Sequence, residues 1–313
     1  MTVLTDISQI NRSEWQKLIA TSPVASWFQT PEAYDFFASV PASVKPFVVA
    51  VEEKDLKGVV VGYTVAEGGP LKRFFSKRTI IQGGPLLADD ISDEALTALL
   101  QAIPRDGIYC EMRNFSDYSK WRKAFEQAGW NYKPHYDVYM ATTAGWQNKL
   151  QDAKKRQVNK AIKDGYTWQE AEKEEDVRSW YYLLKHLYRN KVHRPLFDYG
   201  FFLTAWQKGF CKVLIVRDGY KQIVGGVLVP VMNQIAYEWY ICGSVMATYT
   251  LQDWCEQNGI TRLDAVGAGE PNKEYGVRDF KLRMAGELHE FGRFIRIQAK
   301  TRYRLGVWVI NLL

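Results

Sequence analysis

Apolar and polar positions follow the same succession twice along this chain. In the first half, the β-rich runs 46–51 and 58–66 flank the polar stretch Glu52 to Lys57, a hairpin pattern. A strand-like run from Thr79 ends in the glycines before Pro85, and helical periodicity follows from Ser92 to Ile103. A strand at Gly107 to Arg113, a helix near Asp117 to Ala128 stopped by Gly129, and a strand near His135 to Ala141 complete the half. In the second half, runs 212–216 and 223–229 flank the turn Arg217 to Tyr220. A strand at Ile235 to Ser244, a helix at Met246 to Gln257 closed by Asn258 and Gly259, a strand at Thr261 to Val266, and a helix and strand over Val277 to Ile297 follow. Each half reads hairpin, strand, helix, strand, helix, strand, which predicts a duplicated α+β domain rather than a solenoid. Helices at about 146–164, 174–191 and 199–208 precede the second hairpin. The predicted domains are 1–144 and 145–299, with a helix over 300–313 packing on the first. A capped helix is expected to open at Ser13 to Ala20.

The length, 313 residues, fits two such domains, and 47% hydrophobic and 24% charged residues describe a soluble chain. No apolar run reaches the roughly 18 residues that span a bilayer, and the polar start is not a signal peptide. Cys110, Cys211, Cys242 and Cys255 lack CxxC spacing, so they read as reduced buried thiols of a cytoplasmic protein. Four scattered histidines argue against a metal site. The net charge of +6 favours anionic partners, and its cations cluster at Lys149 to Lys163 and at Arg293 to Arg304. Contact with the inner face of a membrane is left open; DNA is not an expected partner.

Candidate chemistry concentrates in Tyr275-Gly-Val-Arg278-Asp-Phe280-Lys281-Leu-Arg283, which brings Arg278, Lys281, Arg283 and two aromatics to one turn. Lys281 is suited to a developing oxyanion or a phosphate, or is simply solvated. In the strand Tyr237-Glu238-Trp239-Tyr240, alternation sends Tyr237 and Trp239 to one face and Glu238 and Tyr240 to the other. Glu238 must find a partner or shift its pKa; a base, an amine-orienting group and a structural ion pair with an arginine all fit. Arg189, Lys191, His193 and Arg194 form a cationic loop before Pro195, fit for phosphate or for a solvated helix end. Arg156, Lys160 and Lys163 line one helix face, which suits tRNA, a diphosphate or anionic lipid if it is more than solvated. No Walker loop, G-x-S-x-G or complete G-x-G-x-x-G motif occurs.

Asp264-Ala-Val-Gly-Ala-Gly269, Tyr275 to Lys281, Gly286-Glu287 and the helix opening at Arg156 together resemble the FemAB/FemX group of peptidoglycan bridge-forming aminoacyltransferases and related N-acyltransferases. The resemblance implies two tandem GNAT-like domains with bent mixed sheets flanked by helices. It also implies acyl transfer to an amine of an anionic acceptor, a small molecule or a lipid-linked cell-wall precursor. Lys281, Tyr240 and Glu238 would then be catalytic, and Arg189, His193, Arg194, Tyr275, Arg278, Phe280 and Arg283 would bind substrate. The donor would be aminoacyl-tRNA or an acyl thioester used as co-substrate, with no tightly bound cofactor. The loop after Ser244 is shorter than in that group, Met284-Ala285 replaces its usual Phe-Gly, and the Q-x-x-G-x-G/A phosphate loop of CoA-using relatives is absent. A GNAT-like shell that only binds an anionic or lipid-linked ligand is the alternative reading.

Overall fold

The computed structural model describes residues 1–68 and 70–304. Two compact units emerge, one built from Met1–Pro134 with the chain from Phe291 onward, the other from His135–Glu290. The first unit opens with β1 (Thr2–Leu4), α1 (Arg12–Thr21) and α2 (Pro31–Ala38), then the hairpin β2 (Lys45–Glu52) and β3 (Leu56–Val65). It continues through α3 (Pro70–Ser76), β4 (Arg78–Gly83), β5 (Leu86–Leu87), α4 (Asp93–Ala102), β6 (Tyr109–Asn114), α5 (Arg122–Gln127) and β7 (Asn131–Lys133). The N-cap of α1 is Asn11, whose side chain accepts from Ser13 and Glu14 N–H, so the helix starts one residue before the serine read as its opening.

The second unit begins at β8 (Tyr136–Met140), then α6 (Asp152–Lys163), β9 (Thr167–Glu170), α7 (Glu174–Leu187), α8 (Tyr199–Gln207) and the hairpin β10 (Lys212–Arg217) and β11 (Ile223–Val229). It ends with β12 (Val231–Met232), β13 (Ile235–Tyr237), β14 (Tyr240–Cys242), α9 (Val245–Gln257), β15 (Arg262–Gly267), α10 (Gly276–Arg283) and β16 (Gly286–Glu290). The last strand, β17 (Arg293–Ile297), returns to the first unit.

Strand pairing divides the chain differently from the expected 1–144 and 145–299. The strand at 136–140, read as closing the first half, lies between β15 and β16. Reciprocally, β17 lies between β6 and β7. The single strand expected at the end of each half is thus two strands, β7 then β8 and β16 then β17, and the second of each pair completes the other sheet. The first sheet runs β1-β2-β3-β4-β6-β17-β7; the second unit holds β14-β11-β10-β9 and β12-β13-β15-β8-β16. β9 went unread because its four residues are an edge strand in which only Trp168 faces apolar neighbours. The final helix is present over 300–304, where Tyr303 packs edge-on against Tyr109; the rest of the stretch read as helix, 305–313, lies outside the described residues.

Each unit has its own core. In the first, α4 and α5 bury Leu96, Leu99, Leu100 and Phe125 against β4, β6 and β17. In the second, α9 buries Leu251, Trp254 and Cys255 against β8, β10, β11 and β15. All four cysteines are free and buried, and burial pushes each thiol up, Cys242 to about 12, which keeps them protonated and inert. Among the described residues no helix is long and apolar enough to cross a membrane, and no group of histidine, cysteine and acidic side chains could hold a metal ion.

Candidate functional site

The two units differ in how their parallel strand pair ends. In the first, the parallel pair β4 and β6 stays zipped from Thr79–Cys110 to Gly83–Asn114. Beyond it, Gln29 Nε2 donates to the carbonyls of Gly83 at 2.9 Å and Gly84 at 3.1 Å, and the Tyr118 hydroxyl donates to Pro85 at 2.8 Å. In the second unit, the corresponding strand pairs with β15 only as far as Tyr237–Asp264. It then leaves that sheet and joins β11 as β14. The cause is a bulge: Leu228 faces both Trp239, whose N–H donates to its carbonyl at 3.2 Å, and Tyr240, its ladder partner. β14 and β15 therefore part, and β14 becomes a sheet edge bearing backbone donors and acceptors.

The bulge also breaks the alternation expected of 237–240. Trp239 and Tyr240 do not point to opposite faces: both rings meet Phe201 of α8, at 5.5 and 6.4 Å, and Tyr240 meets Phe202 at 5.0 Å. Glu238 instead turns inward and is 4% exposed.

At the base of the parting lies a buried charged cluster. Lys281, 4% exposed, places Nζ 3.8 Å from Glu238 Oε1, so the partner of Glu238 is a lysine and not an arginine. The same ammonium donates to the carbonyls of Ala265, Val266 at 3.4 Å and Gly267 at 3.3 Å. Asp264 is fully buried; its Oδ1 accepts from Val266 N–H at 2.8 Å. Together these bonds hold Val266 at φ 51°, a left-handed conformation that a β-branched residue rarely adopts. The β15–β8 register shifts at this point, so both strands flanking the parting are irregular there.

Burial lifts the Glu238 carboxyl to about 7, against the pull of Lys281. Burial likewise lifts Asp264 to about 7; the Val266 N–H, Arg262 and Lys281 pull it down, and Glu238 pushes it further up. Glu238 Oε2 and Asp264 Oδ2 are both buried without a hydrogen-bond partner. Two carboxyls beside one ammonium cannot both ionise cheaply, so near neutrality the pair retains a proton.

α10 holds Lys281 in place. It starts at Gly276 after Tyr275, and β16 then passes so close that a Cβ on Gly286 would lie 2.6 Å from the Lys281 carbonyl oxygen. Phe280 packs on the core beneath Lys154, whose Nζ is 4.8 Å from the ring centroid. Arg278 donates to the carbonyls of Glu270 at 2.9 Å and Lys273 at 2.6 Å and so staples the 270–275 loop. Tyr275 is 37% exposed over Gly269, and Arg283 is exposed at the helix end.

The cationic loop begins as a π-helical turn over Tyr188–Val192, closed by His193 at φ 51°. That left-handed cap ends the helix, and before it His186 contacts Asn190 at 3.1 Å. Arg189, His193 and Arg194 are exposed, and the Tyr188 ring lies 6.2 Å from that of Tyr240. Asp264 is a site residue that the sequence motif alone does not single out; an acid between Leu263 and Ala265 in an apolar strand is the signal for it.

No protein-family model matches this chain, and no curated protein matches it in sequence. Its fold is that of FemX, two GNAT-like units in tandem. The solved FemX structure superposes with a TM-score of 0.69 at 14% identity over 97% of this chain and 99% of that one. L-PGS from Bacillus licheniformis gives 0.60 at 11%, over 95% and 96%. A tandem GNAT protein from the clavulanic acid biosynthesis pathway gives 0.54 at 8%, over 95% and 98%.

Proposed function

We propose that the chain is an N-acyltransferase whose active site is the parting between β14 and β15. The observation that carries this reading is that only one of two like units loses its parallel pairing there, and that it does so at Asp264 and next to Glu238, the carboxyls gathered around Lys281. The amine nitrogen of an acceptor attacks the carbonyl carbon of a thioester or aminoacyl ester. The C–N bond forms, the C–S or C–O bond breaks, and the amine loses one proton while the leaving sulfur or oxygen gains one. Backbone N–H groups on the β14 edge suit the transient oxyanion, and the Lys281 charge lies at the base of the same site. Glu238, with its carboxyl near 7, is tuned to take the amine proton at neutral pH. Tyr240 lines the acceptor side, where exposed Arg189, His193 and Arg194 favour an anionic group. Tyr275 and Arg283 lie exposed on the α10 side, while Arg278 and Phe280 serve by shaping the helix that carries Lys281.

Incubating the protein with acyl-CoAs or aminoacyl-tRNAs and amine-bearing anionic acceptors, UDP-linked muropeptides among them, should yield an amide detected by mass spectrometry. Lys281→Met should lower its rate by about ten- to a thousandfold. A folded Lys281→Met protein with full turnover would remove Lys281 from the mechanism.

One observation favours a second reading, a shell that binds without catalysis: the Lys281 ammonium is buried and already engaged by three carbonyls. Thermal stabilisation by an acceptor, with no donor effect and no product, would select it.

A further inference from the structure

We infer that one end of the first unit's sheet is a docking surface for an anionic lipid membrane. β2 is antiparallel to β3, β3 to β4, β4 is parallel to β6, and β6 is antiparallel to β17. The start of β2, the end of β3, the starts of β4 and β6, and the end of β17 therefore share one end of the sheet. The 66–77 excursion between β3 and β4 stands there on a pinned base. Glu67 N–H donates to Ser76 Oγ at 2.9 Å, and Glu67 pairs with Arg78 at 2.5 Å.

On α3 this excursion carries Phe74 and Phe75, 53% and 44% exposed, their rings edge to face at 5.1 Å. Two adjacent phenylalanines left in water on the last turn of α3, beside that pinned base, gain nothing from the fold's own core. Around them the charge is one-sided. The acids of this end, Glu67 and Asp106, are already paired with Arg78 and with Lys77 and Lys45. Arg73, Arg105, Lys300, Arg302 and Arg304 have no carboxylate within ion-pair distance among the described residues. Arg302 lies over the Phe74 ring at 4.7 Å, which joins the cations to the aromatics in one patch. At the opposite end of the sheet Asp55 and Asp90 pair with Lys57, and Asp89 pairs with Lys120, so no comparable surplus of unpaired cations stands there.

Exposed phenylalanines ringed by lysine and arginine are the composition that settles at the headgroup boundary of anionic bilayers. The aromatics select a membrane over a nucleic acid here, because a phosphate backbone alone would not use two exposed apolar rings. This surface stands independently of the acyl-transfer reading, since its test reads binding and not turnover.

The test is co-sedimentation of the full chain with phosphatidylcholine vesicles, with and without phosphatidylglycerol. Binding is expected only with phosphatidylglycerol and should fall as salt rises. Phe74→Ser/Phe75→Ser should weaken it by about tenfold, and Arg302→Glu/Arg304→Glu should do likewise, with an unchanged denaturation midpoint showing that both variants fold. Absence of binding to phosphatidylglycerol vesicles overturns the inference. So does equal binding by the Phe74→Ser/Phe75→Ser variant, which would point to the 305–313 stretch instead, or retention of RNA but not vesicles.

Discussion

The Lys281 ammonium donates to the carbonyl of Val266, at 3.4 Å, and Val266 is a β-branched residue held at φ 51°. A left-handed valine costs on the order of 1–3 kcal/mol and persists only where its surroundings over-determine it. Here the surroundings are three carbonyls gathered by one ammonium and the Asp264 side chain on the Val266 N–H. Val266→Gly should therefore keep or raise stability despite losing a half-buried side chain. Lys281→Met alone should cost about 3–5 kcal/mol, because it strands Glu238 in the interior. In the Val266→Gly background that cost should shrink by at least about 0.5 kcal/mol, since glycine no longer needs to be held. Urea denaturation of the four proteins measures this coupling; strict additivity would show that Lys281 does not restrain the turn.

The same cluster makes stability depend on pH. Glu238 and Asp264 are raised to about 7 in the folded chain against ordinary values near 4.5 and 3.8. The native state then binds more protons than the unfolded one between those limits, so the contribution of these two groups to stability is greatest below about 4 and falls as pH rises towards 7. Glu238→Gln should flatten that decline, which melting curves across the range would show. A steeper decline in the variant than in the parent protein would contradict the assignment.

How much of this was legible beforehand divides along physical lines. The order of elements and the doubling were readable because hydrophobic periodicity reports burial locally, as at Leu96, Leu99 and Leu100 on α4. The exchange of β8 and β17 was not, since pairing is decided by distant partners such as Cys110 opposite Arg296. Glu238 was visible as an ionisable residue in an apolar strand, and Lys281 as a lysine in a cationic turn that is suited to an oxyanion or simply solvated. Their contact was not, for it depends on the bulge at Trp239 and Tyr240, which no turn residue announces. Arg278 and Phe280 were expected to bind substrate; instead Arg278 staples the 270–275 loop and Phe280 packs on the core, contacts that depend on how α10 lies against β16.

In the first unit the sign of the pH effect is reversed. Burial raises the Glu111 carboxyl, but Arg113 and Arg293, at 3.0 and 2.6 Å, outweigh it and hold it at about 2. A depressed acid stabilises the fold above its unfolded value near 4.5 and loses that contribution as pH falls towards 2. Glu111→Gln should remove most of the acid-induced loss of this unit and lower its stability at pH 7, as fluorescence-monitored acid unfolding would report. An unchanged acid midpoint would place the acid sensitivity elsewhere.

The turn from α10 into β16 offers a stabilising change beside a damaging one. Ala285 sits at φ 63°, where glycine has no steric penalty and alanine does. Ala285→Gly should raise stability by about 1 kcal/mol, little reduced by the loss of one partly buried methyl. At the next residue the opposite holds. A Cβ on Gly286 would meet the Lys281 carbonyl oxygen and Val138 Cγ1, each at 2.6 Å, so backbone must move. Gly286→Ala should cost about 1–3 kcal/mol and, by displacing Lys281, should lower any acyl-transfer rate even where the chain remains folded. Thermal melts rank the two variants and turnover by the folded fraction separates the second effect; a Gly286→Ala protein with the parent's melting temperature would show that α10 yields freely and that Lys281 is not fixed by β16.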